Sequence, residues 1–121
     1  MEDEQEKYQW HKVAESVEEI KFPSNGIAQI DVAGNKFCII SKKHILSACA
    51  QKCPHAGGKL SEGYVDALGN IVCPLHGYKF NLKSGRENTG GGYFLKIFPL
   101  ELRAGGVFIS FSKNKLWNWL K

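Results

Sequence analysis

Four of the eight cysteine and histidine residues in this 121-residue chain lie in two short clusters, Cys53-Pro54-His55 and Cys73-Pro74-Leu75-His76. Seventeen residues separate His55 from Cys73. Thiolate and imidazole are the side chains that bind borderline and soft transition metals, so two such pairs point to a metal site shared between two loops. Each cluster runs into a glycine, Gly57 or Gly77, where the backbone can fold close around a bound group without a Cβ in the way. Pro54 and Pro74 directly follow the cysteines and stiffen the loops. Ligands divided between two loops make a site that only the folded chain assembles.

A structural Cys2His2 zinc module is the alternative use of the same residues. Zinc sites usually pair Cys-x2-4-Cys with His-x3-5-His, whereas here each loop mixes one Cys with one His, and the first pair has a single-residue gap. The mixed clusters also speak against a disulfide frame, in which four cysteines would pair with one another. Cys38 and Cys49 lie in apolar, strand-like runs and are expected to be buried small side chains rather than ligands.

The two clusters resemble the ligand loops of the Rieske family, and in outline the likeness extends from about Tyr8 to Phe111. The resemblance implies a [2Fe-2S] cluster, with Cys53 and Cys73 on the inner iron and His55 and His76, through Nδ1, on the outer one. It implies an all-β fold: a β-sandwich base with a small inserted cluster-binding subdomain. High-potential respiratory members add a cysteine to each loop and join the two as a disulfide. The corresponding positions here are Gly58 and Leu75. Those members also aim a Ser and a Tyr hydroxyl at the cluster sulfurs, where this chain has Tyr78 and Phe80. Fewer hydrogen bonds to sulfur stabilise the reduced site less, which places the expected potential at the lower end of the Rieske range.

The ligand set has an electrostatic consequence of its own. Two ferric ions and two sulfides are doubly positive, two thiolates neutralise them, and two neutral imidazoles add nothing. An electron enters an uncharged site more readily than the doubly negative site that four thiolates would make. Histidine ligation accordingly raises the potential to roughly −150 to +300 mV, against about −400 mV for all-cysteine plant-type clusters. An imidazole bound through one nitrogen keeps an N–H on the other, so the potential is expected to fall with rising pH above the pKa of the oxidised site.

These loops need strands to hold them, and the sequence supplies short ones. Thirteen glycines, 43% apolar and 23% charged residues fit one ordinary domain of short strands and turns. Alternation and turn residues predict strands over residues 8–13, 27–32, 36–41 and 44–50. Two more flank a turn within 65–72, and others cover 78–82, 93–98 and 107–111. Ala33-Gly34-Asn35 is expected to close a hairpin, and residues 14–20 have some helical character. The cluster-binding part is expected at about 50–92 of a single domain spanning 8–112.

Residues 1–7 form an expected mobile acidic head, with Glu2, Asp3, Glu4 and Glu6 against Lys7. The tail, 113–121, carries Leu116, Trp117, Trp119 and Leu120, which a short helix would group against the base. The net charge of +4 is spread along the chain, which gives little support to nucleic-acid binding. Lys52, Lys59, Lys79, Lys83 and Arg86 lie close in sequence to the two loops and could dress them for an acidic partner. Neither an export signal nor a membrane span is visible, so the expected location is the cytoplasm.

The resemblance implies a Rieske ferredoxin: a one-electron carrier, not an enzyme, that passes electrons from a flavin-containing NAD(P)H reductase to a Rieske non-haem iron oxygenase. The small subunit of an NAD(P)H-dependent nitrite reductase is the rival within the same fold.

Overall fold

The computed structural model describes residues 9–55 and 57–111. The acidic head, Ala56 and the Trp-containing tail lie outside them. Among the described residues ten strands run in chain order: β1 Trp10–Ala14, β2 Ile27–Val32, β3 Asn35–Lys42, β4 Ile45–Ala50, β5 Tyr64–Val65, β6 Asn70–Val72, β7 Lys79–Asn81, β8 Ile97–Phe98, β9 Leu100–Arg103 and β10 Gly106–Ser110. Short 3-10 turns at Val17–Glu19 and Leu60–Glu62 are the helical elements among the described residues. No helix there is long and apolar enough to cross a membrane.

All pairings are antiparallel and build three sheets, β1-β10-β9, β2-β3-β4-β8 and β5-β6-β7. The central sheet is apolar on both faces, and the two-residue period of its strands sorts the side chains between two cores. One face sends Ala28, Phe37, Ile39, Ala48 and Phe98 against Ala14, Val107, Ile109 and Phe111 of the first sheet. This is the expected sandwich base. The opposite face sends Ile27, Cys38, Ile40 and Cys49 against Leu60, Ile71, Phe80 and Leu82 of the chain between β4 and β8. Cys53 and Cys73 belong to this second core. The third sheet and both Cys/His loops are thus inserted between adjacent strands of the base and packed on its outer face.

Two hairpins close through two-residue turns with positive φ at both positions, Ala33-Gly34 and Lys43-His44. This is the type I′ geometry that matches strand twist. Asn35, expected in the turn, begins β3 opposite Val32.

Of the run 93–98 only Ile97 and Phe98 form a strand; Phe94 makes an isolated bridge with Arg86, and Tyr93 and Phe94 are exposed beside the Cys/His loops. Strand β9 was not expected from the sequence. It lies at a sheet edge with Glu101, Leu102 and Arg103 all exposed, so it lacks the buried alternation that marks a half-buried strand.

Candidate metal centre

The two Cys/His loops have the same backbone construction. In the first, Lys52 and Lys59 bridge, the Cys53 N–H donates to the Gly58 carbonyl at 2.9 Å, and the Gly57 N–H donates to the Cys53 carbonyl at 2.9 Å. In the second, Val72 pairs with Lys79, the Cys73 N–H donates to the Tyr78 carbonyl at 2.8 Å, and the Gly77 N–H donates to the Cys73 carbonyl at 3.0 Å. Gly57 and Gly77 take φ of +74° and +73°, a left-handed conformation that side chains resist, which is why both loops place glycine four residues after cysteine. Two copies of one turn, each started by a strand, face each other over the second core.

The loops divide their candidate donors by depth. Cys53 and Cys73 are each 1% exposed, while His55 is half-buried and His76 is exposed. The imidazoles come from different loops, yet their centroids lie 5.7 Å apart, ring planes at 86°. A Cβ built on Gly58 of the first loop would lie 3.3 Å from the Cys73 sulfur of the second, so the loops are in contact.

Within this arrangement His55 Nδ1 is buried and has no hydrogen-bond partner. A buried polar atom left unsatisfied costs about 1–3 kcal/mol, and a bound metal is the partner that an unpaired imidazole nitrogen accepts without a proton. Among the described residues no three His, Cys, Asp or Glu side chains surround a single point. A diiron cluster does not ask for that, since each iron takes two protein donors. The donor types, their depth and the orphaned Nδ1 fit a [2Fe-2S] group spanning the two loops.

A third segment completes the surroundings. Tyr78 packs on the His55 ring at 3.9 Å, and Tyr93 meets it edge-on at 4.8 Å. Tyr93 is held by the turn before it, where the Glu87 carboxylate accepts from the Thr89 hydroxyl, from the Thr89 N–H at 3.1 Å and from the Gly91 N–H at 2.7 Å. The Thr89 hydroxyl, these N–H groups and the field of His55 hold the Glu87 carboxyl below its usual range, against the opposing effect of burial. The sequence singles out neither Glu87 nor Tyr93, because neither belongs to a metal-ligand pattern. Phe80, at a position where respiratory members carry a hydroxyl, is fully buried in the second core. Cys38 and Cys49 face each other as register partners on β3 and β4, both 0% exposed, beneath the loops rather than in them.

An all-β sandwich that lifts two mirrored Cys/His loops on its outer face defines a small iron–sulfur module. The model of the Rieske [2Fe-2S] domain family matches residues 9–90, and the chain belongs to that family. Its cofactor is a Rieske-type [2Fe-2S] cluster.

The chain is 28% identical over 99 residues to human apoptosis-inducing factor 3, covering 80% of this chain and 16% of that protein. It is 29% identical over 69 residues to the 3-phenylpropionate/cinnamic acid dioxygenase ferredoxin subunit of Photorhabdus laumondii, covering 56% of this chain and 66% of that protein. Among solved structures it resembles a chain of the complex of reduced oxygenase and oxidized ferredoxin in carbazole 1,9a-dioxygenase. The TM-score is 0.70 and the identity 25%, over 87% of this chain and 95% of that one. The chain therefore spans less than two thirds of the length of both curated relatives.

Proposed function

We propose that the protein is a one-electron carrier whose cluster is held by Cys53 and Cys73 on one iron and by His55 and His76 on the other, within a cluster-binding unit of about residues 50–92. The observation that carries the reading is the orphaned, buried His55 Nδ1 between two mirrored loops whose thiols lie deep and whose imidazoles lie outermost. When bound, the cluster supplies a reversible one-electron couple. The chain's own part is to fix donors and exclude water. The two turns hold the Cys53 and Cys73 sulfurs in a dry core, which favours a compact, nearly uncharged group over a highly charged one. Coordination through Nδ1 leaves Nε2 of each imidazole to hold a proton, with the exposed His76 ring giving a short exit toward a partner.

The ferredoxin relatives of dioxygenases support a place between an NAD(P)H reductase and a Rieske non-haem iron oxygenase. The directly opposed but unjoined thiols of Cys38 and Cys49 accord with a reducing compartment such as the cytoplasm. Anaerobic titration of the purified, brown protein tests the reading. One electron per chain, taken up and released reversibly without turnover of an organic substrate, is expected. A colourless zinc protein, or one that cannot be reduced, contradicts it.

A further inference from the structure

Two lysines flank the first Cys/His loop. Lys52 and Lys59, both exposed, face each other across an isolated antiparallel bridge, and like charges directly opposed cost stability. The Lys52 stem lies over the first loop, its Cε 3.5 Å from a Cβ built on Gly57, two residues after His55. On another side Arg86 bridges to Phe94 and sets its guanidinium 5.8 Å from that ring, next to the Tyr93 that touches His55. Near these cations lie exposed apolar groups: Leu75 beside Gly58, Phe94 beside Arg86 and Tyr93 beside His55, at 57%, 60% and 40% exposure.

Nearby acids, Glu62 beside Lys59 among them, make no ion pair with these cations. Glu87 is turned inward onto Thr89 and Gly91. Asp66 is committed to the N–H groups of Leu68 and Asn70 and to Lys79, at 3.7 Å. Among the described residues no carboxylate lies within ion-pair distance of Lys52, Lys59 or Arg86.

Resting on the electron-carrier reading, we infer that the face around His76 docks a redox protein that presents carboxylates around an apolar spot, with Lys52, Lys59 and Arg86 as its cationic rim. Exposed apolar side chains ringed by cations mark such a face by charge complementarity, and the rim acts chiefly on association rate.

The test uses the intact, cluster-loaded protein and two one-electron acceptors of opposite charge, an acidic plastocyanin and the basic cytochrome c. In each case one electron leaves the reduced carrier and the cupric or ferric centre of the acceptor gains it, with no bond made or broken. Stopped-flow oxidation by plastocyanin is expected to slow as salt rises, and oxidation by cytochrome c to quicken. K52Q/R86Q is expected to slow the plastocyanin reaction about three- to tenfold at low ionic strength. K12Q/K21Q, with the same loss of charge on the side of the other core, is expected to leave it within about twofold.

A second readout needs no electron transfer. In a mixture of the oxidised protein with cuprous plastocyanin, acetic anhydride is expected to modify Lys52 and Lys59 more slowly, and Lys12 and Lys21 unchanged. Equal effects of the two double variants, or no protection of Lys52 and Lys59, overturn the inference while leaving a reducible cluster. A protein that cannot be reduced at all overturns the carrier reading instead.

Discussion

A Cβ built on Gly58 would stand 3.0 Å from the Leu75 side chain and 3.3 Å from the Cys73 sulfur. The positions that respiratory relatives are expected to join by a disulfide are therefore in contact here too, but through an apolar leucine over a bare glycine. The absence of a side chain at residue 58 is what lets the two loops close on each other.

Filling that space should separate the loops. Gly58→Ala is expected to destabilise the protein by about 1 kcal/mol, within the usual cost of overpacking, because Leu75 must yield while Cys73 is fixed by its turn. Adding Leu75→Ala should return part of that loss. Denaturant unfolding of the two single variants and the double variant measures the coupling, and strictly additive effects would contradict the contact.

The four cysteines should fall into two classes. Cys53→Ser and Cys73→Ser are expected to lose the visible absorption of the cluster. Cys38→Ala and Cys49→Ala should keep it and cost only about 1 kcal/mol each as small cavities in the second core. The hydrogen bond that the Cys49 thiol donates to Cys38 is the largest cause raising the Cys49 pKa, with burial next, so Cys49 stays a neutral thiol at pH 7. Iodoacetamide should label it only after unfolding. Rapid labelling in the folded protein would contradict its place in the core.

Acid should act through two turns. The Asn70 N–H, then the Asn70 amide, the Leu68 N–H and Lys79 hold the Asp66 carboxyl below its ordinary value, and Glu87 is lowered in the same direction. A carboxylate with a depressed folded pKa contributes its full stability above the unfolded value, about 3.9 for Asp and 4.3 for Glu, and loses it as pH falls through the folded value. Stability followed by circular dichroism should drop as pH falls below about 5, and less steeply in Asp66→Asn. Equal acid slopes in the two proteins would remove Asp66 from the account.

The turn joining β3 to β4 carries two non-glycine residues at positive φ, Lys43 at 51° and His44 at 67°. Lys43→Asn combined with His44→Gly supplies the residues that a type I′ turn favours and should stabilise the protein by about 0.5–1 kcal/mol. A lower thermal midpoint would show that Lys43 or His44 makes contacts worth more than the relief of strain.

What the sequence disclosed, and what it hid, follows from how local each signal is. The donor pairs Cys53/His55 and Cys73/His76 stood out because metal ligation requires particular residue types at short spacing. Strands β2, β3 and β4 of the central sheet were legible because their runs are rich in apolar residues and bounded by turn residues. Strand β9 was hidden because an exposed edge strand has no buried alternation to display. Tyr93 and Glu87 were hidden for another reason: Tyr93 meets His55 across the fold and Glu87 feels it only through its field, and nothing in the local sequence marks an aromatic ring or a carboxylate for that place. Gly57 and Gly77 were legible as a pair, but the shared construction of the two loops was not, since it lies in backbone hydrogen bonds that the residue types do not display.

The donor set itself is open to one direct measurement, pulsed electron paramagnetic resonance of the dithionite-reduced protein. The account predicts a [2Fe-2S] signal coupled to two coordinated nitrogens, one lost in each of His55→Cys and His76→Cys. A signal without nitrogen coupling, or nitrogen couplings that persist unchanged in both variants, would contradict ligation by His55 and His76.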